Sequence, residues 1–336
     1  MRLLKLALTA GLMSAMFAGC AARAVEPVKI RVGWVVPITD WALFMVEKRE
    51  LARHFGKSYV MEPVRFASSP SVITAMANNE LDIGNLAFST LALAIQNAGM
   101  HDLRVISDLF QDGVAGYYTN EYFVHRDSTI KRIEDLKGKP IATPGAGGAI
   151  DIAMRVMLRK HGLEDKRDYS MAETPMATVK AMLMERKVDL VPGVPPFSLD
   201  PEMRKIGRVL FTQREALGLT QMIVLTARKP FLERNRDAMV DFMEDNLRIA
   251  RWCLNAANHD ETVKIAAKLA RQPPERFASW LFTRGDYYRD PNMLPNLQAL
   301  QANIDLQREV GFLKDAIDIQ SYTDLGIIKE AAQRLN

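Results

Sequence analysis

Hydrophobic and polar positions alternate at the start of the folded part of the chain. Residues 28–35 (VKIRVGWV) alternate and are rich in β-branched side chains, which predicts a strand. Asp40 is a good N-cap for a helix that the apolar spacing continues to Phe55. The pattern then predicts a strand over 59–66, a helix from Ser71 to Asn79, and a strand over 81–84. This succession of strands and helices is typical of an α/β protein.

The same order of elements recurs later in the chain. It comprises a strand over 139–143, a glycine-rich loop over 144–148, a helix over 150–161, a helix from Thr178, and a strand over 188–190. At an offset of 107 residues, Ser71 matches Thr178 and Asp82 matches Asp189. The shared order favours a duplicated plan of two α/β lobes with parallel crossovers.

Two strand-like runs, 117–124 and 220–226, are suited to carry the chain from the first lobe to the second and back. The predicted helical segments after the return are 234–254, 260–270, 274–282 and 293–310. A chain that crosses twice between two lobes leaves a cleft at the carboxyl ends of their strands.

The N-terminal residues have the pattern of an export signal. Arg2 and Lys5 precede 14 apolar or small residues, a run shorter than the about 20 needed to span a bilayer. Two processing sites are compatible with it. The run 17–20 (FAGC) resembles a lipoprotein signal that ends at residue 19 and leaves a lipid anchor on Cys20, whereas 22–24 (ARA) fits ordinary cleavage after residue 24.

Charge supports this interpretation. The chain contains 44 basic and 40 acidic residues, and residues 1–24 contribute three of the basic residues and no acidic one. Cleavage after residue 24 leaves a net charge of +1, and cleavage before Cys20 leaves +2. The basic character therefore belongs largely to the signal, and we expect no nucleic-acid partner.

The run 133–142 (IEDLKGKPIA), followed by the glycine-rich turn, resembles periplasmic solute-binding proteins of ABC importers. It is most similar to the nitrate/taurine/alkanesulfonate group, which includes binders of thiamine-type pyrimidines and aromatic acids. Residues 30–33, 81–84 and 227–231 agree, and the resemblance extends over about residues 28–320.

The resemblance implies a type II periplasmic-binding-protein fold, with two interleaved α/β lobes joined by two crossing strands. Lobe 1 would comprise residues 28–116 plus 222–336, and lobe 2 residues 117–221. It further implies a periplasmic location, a ligand held in the cleft, and delivery to an inner-membrane ABC permease. We also expect a monomer without a cofactor or metal, whose membrane contact is limited to the lipid anchor.

Candidate ligand contacts lie in the loops that leave the predicted strands. They are Trp34, Ser68, Ser69, Asn85, Ser89 and Thr90 in lobe 1, and Thr143, Gly145, Gly147, Gly148 and Pro195 in lobe 2. Free N–H groups at Gly145–Gly148 would open a helix and favour an anion, although the segment also fits a purely structural turn. The hydroxyl groups suit a carboxylate or sulfonate, or simple helix capping. These loops contain no arginine, and the nearest are Arg65 and Arg214.

Patterns for catalysis are missing from the sequence. The five histidines lie far apart without a metal-ligand spacing, and Cys253 is a lone cysteine on a predicted helix. We therefore expect a binding protein for a small organic anion, with an aromatic carboxylate or sulfonate preferred over nitrate. A periplasmic sensor is one alternative. An enzyme similar to thiamine-pyrimidine synthases is another, but their cysteine-rich motif is missing here.

Overall fold

The computed structural model describes residues 26–66 and 69–335. Its strands are β1 (Val28–Trp34), β2 (Tyr59–Arg65), β3 (Ile83–Ala87), β4 (Leu103–Asp112), β5 (Glu121–His125), β6 (Lys139–Thr143), β7 (Tyr169–Glu173), β8 (Val191–Gly193), β9 (Gly207–Thr212) and β10 (Thr220–Arg228). Its α-helices are α1 (Trp41–Glu47), α2 (Ser69–Ala77), α3 (Phe88–Asn97), α4 (Ala149–Lys160), α5 (Val179–Met184), α6 (Pro201–Ile206), α7 (Gln213–Leu217), α8 (Lys229–Arg234), α9 (Arg236–Leu254), α10 (His259–Ala270), α11 (Leu297–Glu309) and α12 (Gly326–Arg334).

The large sheet has five strands in the order β2-β1-β3-β10-β4. Strand β1 runs parallel to both β2 and β3, and β10 runs antiparallel to β3 and β4. Every residue of β3 is buried, as expected for a strand that helices cover on both faces. The order of the sheet reverses between β1 and β3, where open α/β sheets form a crevice at their carboxyl ends.

Residues 121–212 form smaller sheets. Strand β5 lies between β8 and β9 and is antiparallel to both, and β6 pairs in parallel with β7. An isolated bridge between Ile141 and Leu190 links β6 to the start of β8. The predicted lobe limits of 116/117 and 221/222 remain a prediction, and the strands of the two regions separate between 112 and 121 and between 212 and 220.

The chain crosses between the sheets through residues 113–120 and 213–219. Strands β4 and β10 pair at Asp112 and Thr220, so the outgoing and returning strands are neighbours. Asn120 Nδ2 donates a hydrogen bond of 2.9 Å to Gln213 Oε1, which joins the two crossing segments. The prediction that 117–124 is the outgoing strand was wrong, because β4 leaves the large sheet and β5 is already the central strand of the three-stranded sheet.

Several predicted helices are shorter in the structure. The helix predicted to reach Phe55 ends at Glu47, because Phe55 forms a bridge with Tyr59 and the chain must turn before it. The helix predicted over 274–282 is only a 3₁₀ turn at its start, Pro274–Arg276. Strands predicted over 81–84 and 188–190 lie a few residues later, as β3 and β8. Within the described ranges, we find no helix with the length and apolar character needed to cross a membrane.

Candidate functional site

Three residues form a row at the carboxyl end of the large sheet. Trp34, the last residue of β1, pairs with Arg65 at the end of β2. The β1–β3 pairing reaches Gly33 and Gly84, so Trp34 and Asn85 follow on adjacent strands. Residues in register across parallel strands point to one face, which places the three side chains together. We call Arg65, Trp34 and Asn85 the carboxyl-edge row.

Asp40 connects the loop after β1 to β3. Asn85 Nδ2 donates a hydrogen bond of 2.9 Å to Asp40 Oδ2, and the backbone N–H of Ala42 donates one of 2.9 Å to Asp40 Oδ1. The second bond caps α1, as the sequence predicts. Burial raises the pKa of Asp40 to about 6, although both hydrogen bonds oppose the shift. A buried carboxyl group thus lies where the order of the sheet reverses.

Three polar atoms at this edge are shielded from solvent and lack a hydrogen-bond partner among the residues described. They are Trp34 Nε1, Asn85 Oδ1 and Ser89 Oγ. Ser89 lies in the first turn of α3, which follows β3 without a loop. Buried polar groups are nearly always hydrogen-bonded in proteins, so three such atoms in one place indicate a site that receives a polar solute. The indole N–H and the hydroxyl can donate, and the amide oxygen can accept.

Arg65 contributes positive charge beside the row. Its guanidinium lies 5.7 Å from the centre of the Trp34 ring, a distance typical of a cation–π contact. No residue within 26–66 or 69–335 forms an ion pair with Arg65, so its charge is not neutralised by a neighbouring carboxylate.

The glycine-rich turn between β6 and α4 uses its N–H groups differently from the prediction. Ala146 N–H donates to Glu173 Oε1 at 3.2 Å, and Gly147 N–H donates to Asp151 Oδ2 at 2.9 Å. Gly148 N–H donates to a carbonyl within the turn at 3.3 Å. The expectation that these donors are free was therefore wrong at these three positions. Carboxylates of the chain itself occupy the place that a bound anion would take at a helix N-terminus.

Gly147 also packs against the opposite lobe. Its φ of +75° favours glycine. A Cβ added there would lie 3.2 Å from the Leu93 side chain of α3 and 3.5 Å from the Phe312 ring. The Arg155 guanidinium of α4 lies 5.1 Å from the centre of the same ring. These contacts make the turn a contact between the regions of the two sheets.

A groove lies between the end of β8 and the segment after α10. One cavity of about 200 Å³ is lined by Lys180, Gly193 and Phe197, and a second of about 410 Å³ by Pro196 and Trp280. Both cavities include Asp200 and Arg276, and we call them together the interlobe groove.

Charge in the interlobe groove is unevenly balanced. Lys180 Nζ pairs with Asp200 at 3.0 Å and with Glu202 at 2.5 Å. The Arg276 guanidinium makes no hydrogen bond or ion pair with any residue that the structure describes, since only its backbone carbonyl accepts a bond, from Trp280 Nε1. Sequence reasoning missed Arg276, because the strand loops that it faces are about 80 residues away in the chain and no local signal marks it.

The remaining predicted contacts are distributed around these features. Ser69 begins α2, and Thr90 Oγ1 donates a hydrogen bond of 3.0 Å to the Ala87 carbonyl within its own helix turn. Thr143 is buried at the end of β6, with Oγ1 at 3.5 Å from Gly145 N. Pro195 precedes Pro196 of the interlobe groove. Ser68, Cys20 and the signal segment 1–24 lie outside the described residues.

Comparison with known proteins identifies the family. The model of the NMT1-like family matches residues 23–267, and the chain belongs to that family. No curated protein matches the chain. The periplasmic aliphatic sulphonate binding protein SsuA from Escherichia coli is 18% identical, with a TM-score of 0.67 over 88% of this chain and 92% of that one.

Two further structures are similar. The periplasmic nitrate-binding protein NrtA from Synechocystis PCC 6803 is 15% identical, with a TM-score of 0.71 over 93% of this chain and 90% of that one. The desulfurization enzyme DSZB is 11% identical, with a TM-score of 0.67 over 92% of this chain and 100% of that one. The predicted periplasmic-binding-protein fold is thereby confirmed, and so is the resemblance on which it was based.

Proposed function

We propose that this member of the NMT1-like family is an exported solute-binding protein, which captures a small organic anion between its lobes and delivers it to an ABC importer. The observation that carries the proposal is the set of three shielded, unpartnered polar atoms at the carboxyl edge of the large sheet. That edge is where open α/β sheets bind ligands.

The crossing segments supply the expected hinge. Residues 113–120 and 213–219 are short and adjacent, and the hydrogen bond between Asn120 and Gln213 couples them. Closure about two such segments brings groups from both lobes onto one ligand. Arg276 and the interlobe groove would then close over a solute held by the carboxyl-edge row.

Two cations without carboxylate partners, Arg65 and Arg276, favour an anionic ligand. The Trp34 indole offers a flat apolar wall beside its N–H, which suits a ring or alkyl group next to a carboxylate or sulfonate. Nitrate would leave that surface unused. The periplasmic sulphonate- and nitrate-binding proteins of the same fold are consistent with an anion.

A role in binding, without catalysis, is part of the proposal. Burial raises the pKa of the Cys253 thiol to about 12, which leaves it protonated and unreactive at neutral pH. Because DSZB shares the fold, an enzyme is the alternative that the fold itself admits. Turnover of a bound ligand, measured by mass spectrometry of the reaction mixture, would distinguish the two functions.

We further propose a periplasmic location, a monomeric state and attachment through Cys20 or release after residue 24. Mass spectrometry of the protein purified from membranes and from periplasm distinguishes the two mature N-termini. Delivery to a permease is tested by uptake of the identified ligand in cells with and without the protein.

A thermal-shift panel tests the central function. The protein beginning at Val25 is screened against aromatic carboxylates, alkanesulfonates, nitrate and pyrimidines. A ligand at 100 times its Kd adds about 2.7 kcal/mol of stability. We expect an aromatic carboxylate or a sulfonate to raise the Tm. A shift only with nitrate or a pyrimidine would contradict the ligand class, and no shift with any class would contradict the binding function.

A further inference from the structure

A second cluster of side chains lies at the opposite, amino end of the large sheet. His54 belongs to the loop before β2, and Asp241 and Glu244 lie three residues apart on α9 and thus on one helix face. One ligand atom from each of the three lies within 4.8 Å of the others. The site is remote from the carboxyl-edge row and does not depend on the proposed function.

The imidazole of His54 faces both carboxylates. Its Nδ1 lies 3.6 Å from Asp241 Oδ2, and its Nε2 lies 3.2 Å from Glu244 Oε2. Nε2 is shielded from solvent and makes no hydrogen bond, since the angles at this short distance are unsuitable. Adjacent ligands of a tetrahedral zinc ion with bonds of about 2.0–2.1 Å are separated by about 3.3 Å. The separation of Nε2 and Oε2 therefore matches two ligands of one ion.

The second oxygen of each carboxylate is held by an arginine. Asp241 Oδ1 accepts a bond of 2.9 Å from Arg334 Nη1, and Glu244 Oε1 accepts one from Arg248 Nη2. Each carboxylate is thus oriented with its other oxygen toward His54. Outer partners of this kind fix the ligands of metal sites in proteins.

The backbone at His54 is fixed to the same helix. The N–H groups of Arg53 and His54 each donate a hydrogen bond of 2.9 Å to the Asp245 carboxylate. The Tyr59 hydroxyl donates to the same carboxylate at 2.8 Å. Asp245 is fully buried, so these bonds hold the loop in place and pre-organise the three ligands.

The cluster opens into a cavity of about 610 Å³, which His54 and Asp241 line together with Val28 and Ser58. An ion there would have access to solvent and a coordination position left open by three protein ligands. We propose that His54, Asp241 and Glu244 bind a divalent transition-metal ion, with Zn²⁺ as the occupant that best suits one imidazole and two carboxylates. The ion would join the loop before β2 to α9.

Calorimetric titration of the metal-free protein with Zn²⁺ tests this site. We expect one ion per chain, and at least a tenfold weaker affinity in both Asp241→Asn and Glu244→Gln. His101→Gln is the matched control, because His101 lies outside the cluster near Tyr322, and its affinity for Zn²⁺ should be unchanged. Absence of binding, or equal affinity in the cluster variants and the control, would overturn the proposal.

Cobalt substitution provides a measurement that needs no variant. Co²⁺ bound by the wild-type protein should give the visible absorption of a four- or five-coordinate ion, and added Zn²⁺ should abolish it at one equivalent. If the spectrum remains that of hydrated Co²⁺, the three side chains form only an imidazolium bridged by two carboxylates and the proposal fails.

Discussion

The buried carboxylates of the two regions are treated differently. Asp151, in the first turn of α4, forms an ion pair of 2.8 Å with Arg155 and accepts the Gly147 N–H. In the region of the large sheet, Asp40, Asp108 and Asp112 are buried and form no ion pair with a residue that the structure describes. The comparison teaches that one lobe neutralises its own charges, whereas the other keeps polar groups available beside the cleft.

The largest expected effect is on the pH dependence of stability. Burial raises the pKa of Asp40 to about 6 and those of Asp108 and Asp112 to about 7, from an ordinary value of 3.8. Between 3.8 and these raised values the folded chain binds protons that the unfolded chain releases. The free energy of unfolding should therefore rise as the pH falls from 8 to 5, by roughly 1 kcal/mol or more per group.

Urea denaturation at several pH values measures this dependence. Asp108→Asn should remove part of the slope, because the amide keeps the size of the side chain without titrating in this range. A stability that is flat or falls from pH 8 to 5 would show that these carboxyl groups are not protonated on folding.

The next largest effect is expected in the other region. Asp151→Ala removes the partner of Arg155 and of Gly147 N–H, and should lower the free energy of unfolding by about 3 kcal/mol. Arg155 keeps its pair with Asp165 at 2.6 Å, which limits the loss. Urea denaturation at pH 7 measures the change. A loss below about 0.5 kcal/mol would mean that the pair is not an important stabilising contact.

Ligand affinity separates the two sides of the cleft directly. Trp34→Phe removes the indole N–H but keeps an aromatic ring, and should weaken binding about tenfold, or about 1.4 kcal/mol. Gly145→Ala is the matched variant in the turn, because its added Cβ has no atom within 4 Å. We expect its affinity to equal that of the wild type in calorimetric titrations. The reverse order would restore the turn as the anion site.

The smallest effect is expected at Arg65. Arg65→Gln removes a solvent-accessible charge, and should weaken anion binding only a few-fold while reducing its dependence on salt. Affinities measured at low and high ionic strength would show this. An unchanged salt dependence would exclude Arg65 from the charge that attracts the ligand.

Much of the fold could be predicted from alternation and helix-stop signals, which placed β1, β6 and β10 closely. The position of the glycine-rich turn was also predicted, but the use of its N–H groups was not. Its occupants are Asp151 on its own helix and Glu173 at the end of β7. Local pattern does not reveal which carboxylate folds back onto a turn. The same limit explains why Trp34 and Asn85 could be chosen as loop-adjacent residues, while their register became visible only in the sheet.

Spacing also concealed the cluster at the amino end of the large sheet. His54 and Asp241 are 187 residues apart and meet only because the loop before β2 is fixed to α9. Arg276 reaches the interlobe groove from a comparable distance in the chain. Contacts of this kind depend on how helices pack onto the sheet, which periodicity alone does not determine.

Tryptophan fluorescence tests the central claim most directly. The chain has four tryptophans, and only Trp34 belongs to the carboxyl-edge row. Titration with the ligand found in the thermal-shift panel should change the emission of the wild type and of Gly145→Ala. The same titration of Trp34→Phe should show little spectral change and an affinity about tenfold weaker. A full spectral change with unchanged affinity in Trp34→Phe would contradict the assignment of the ligand to this edge of the large sheet.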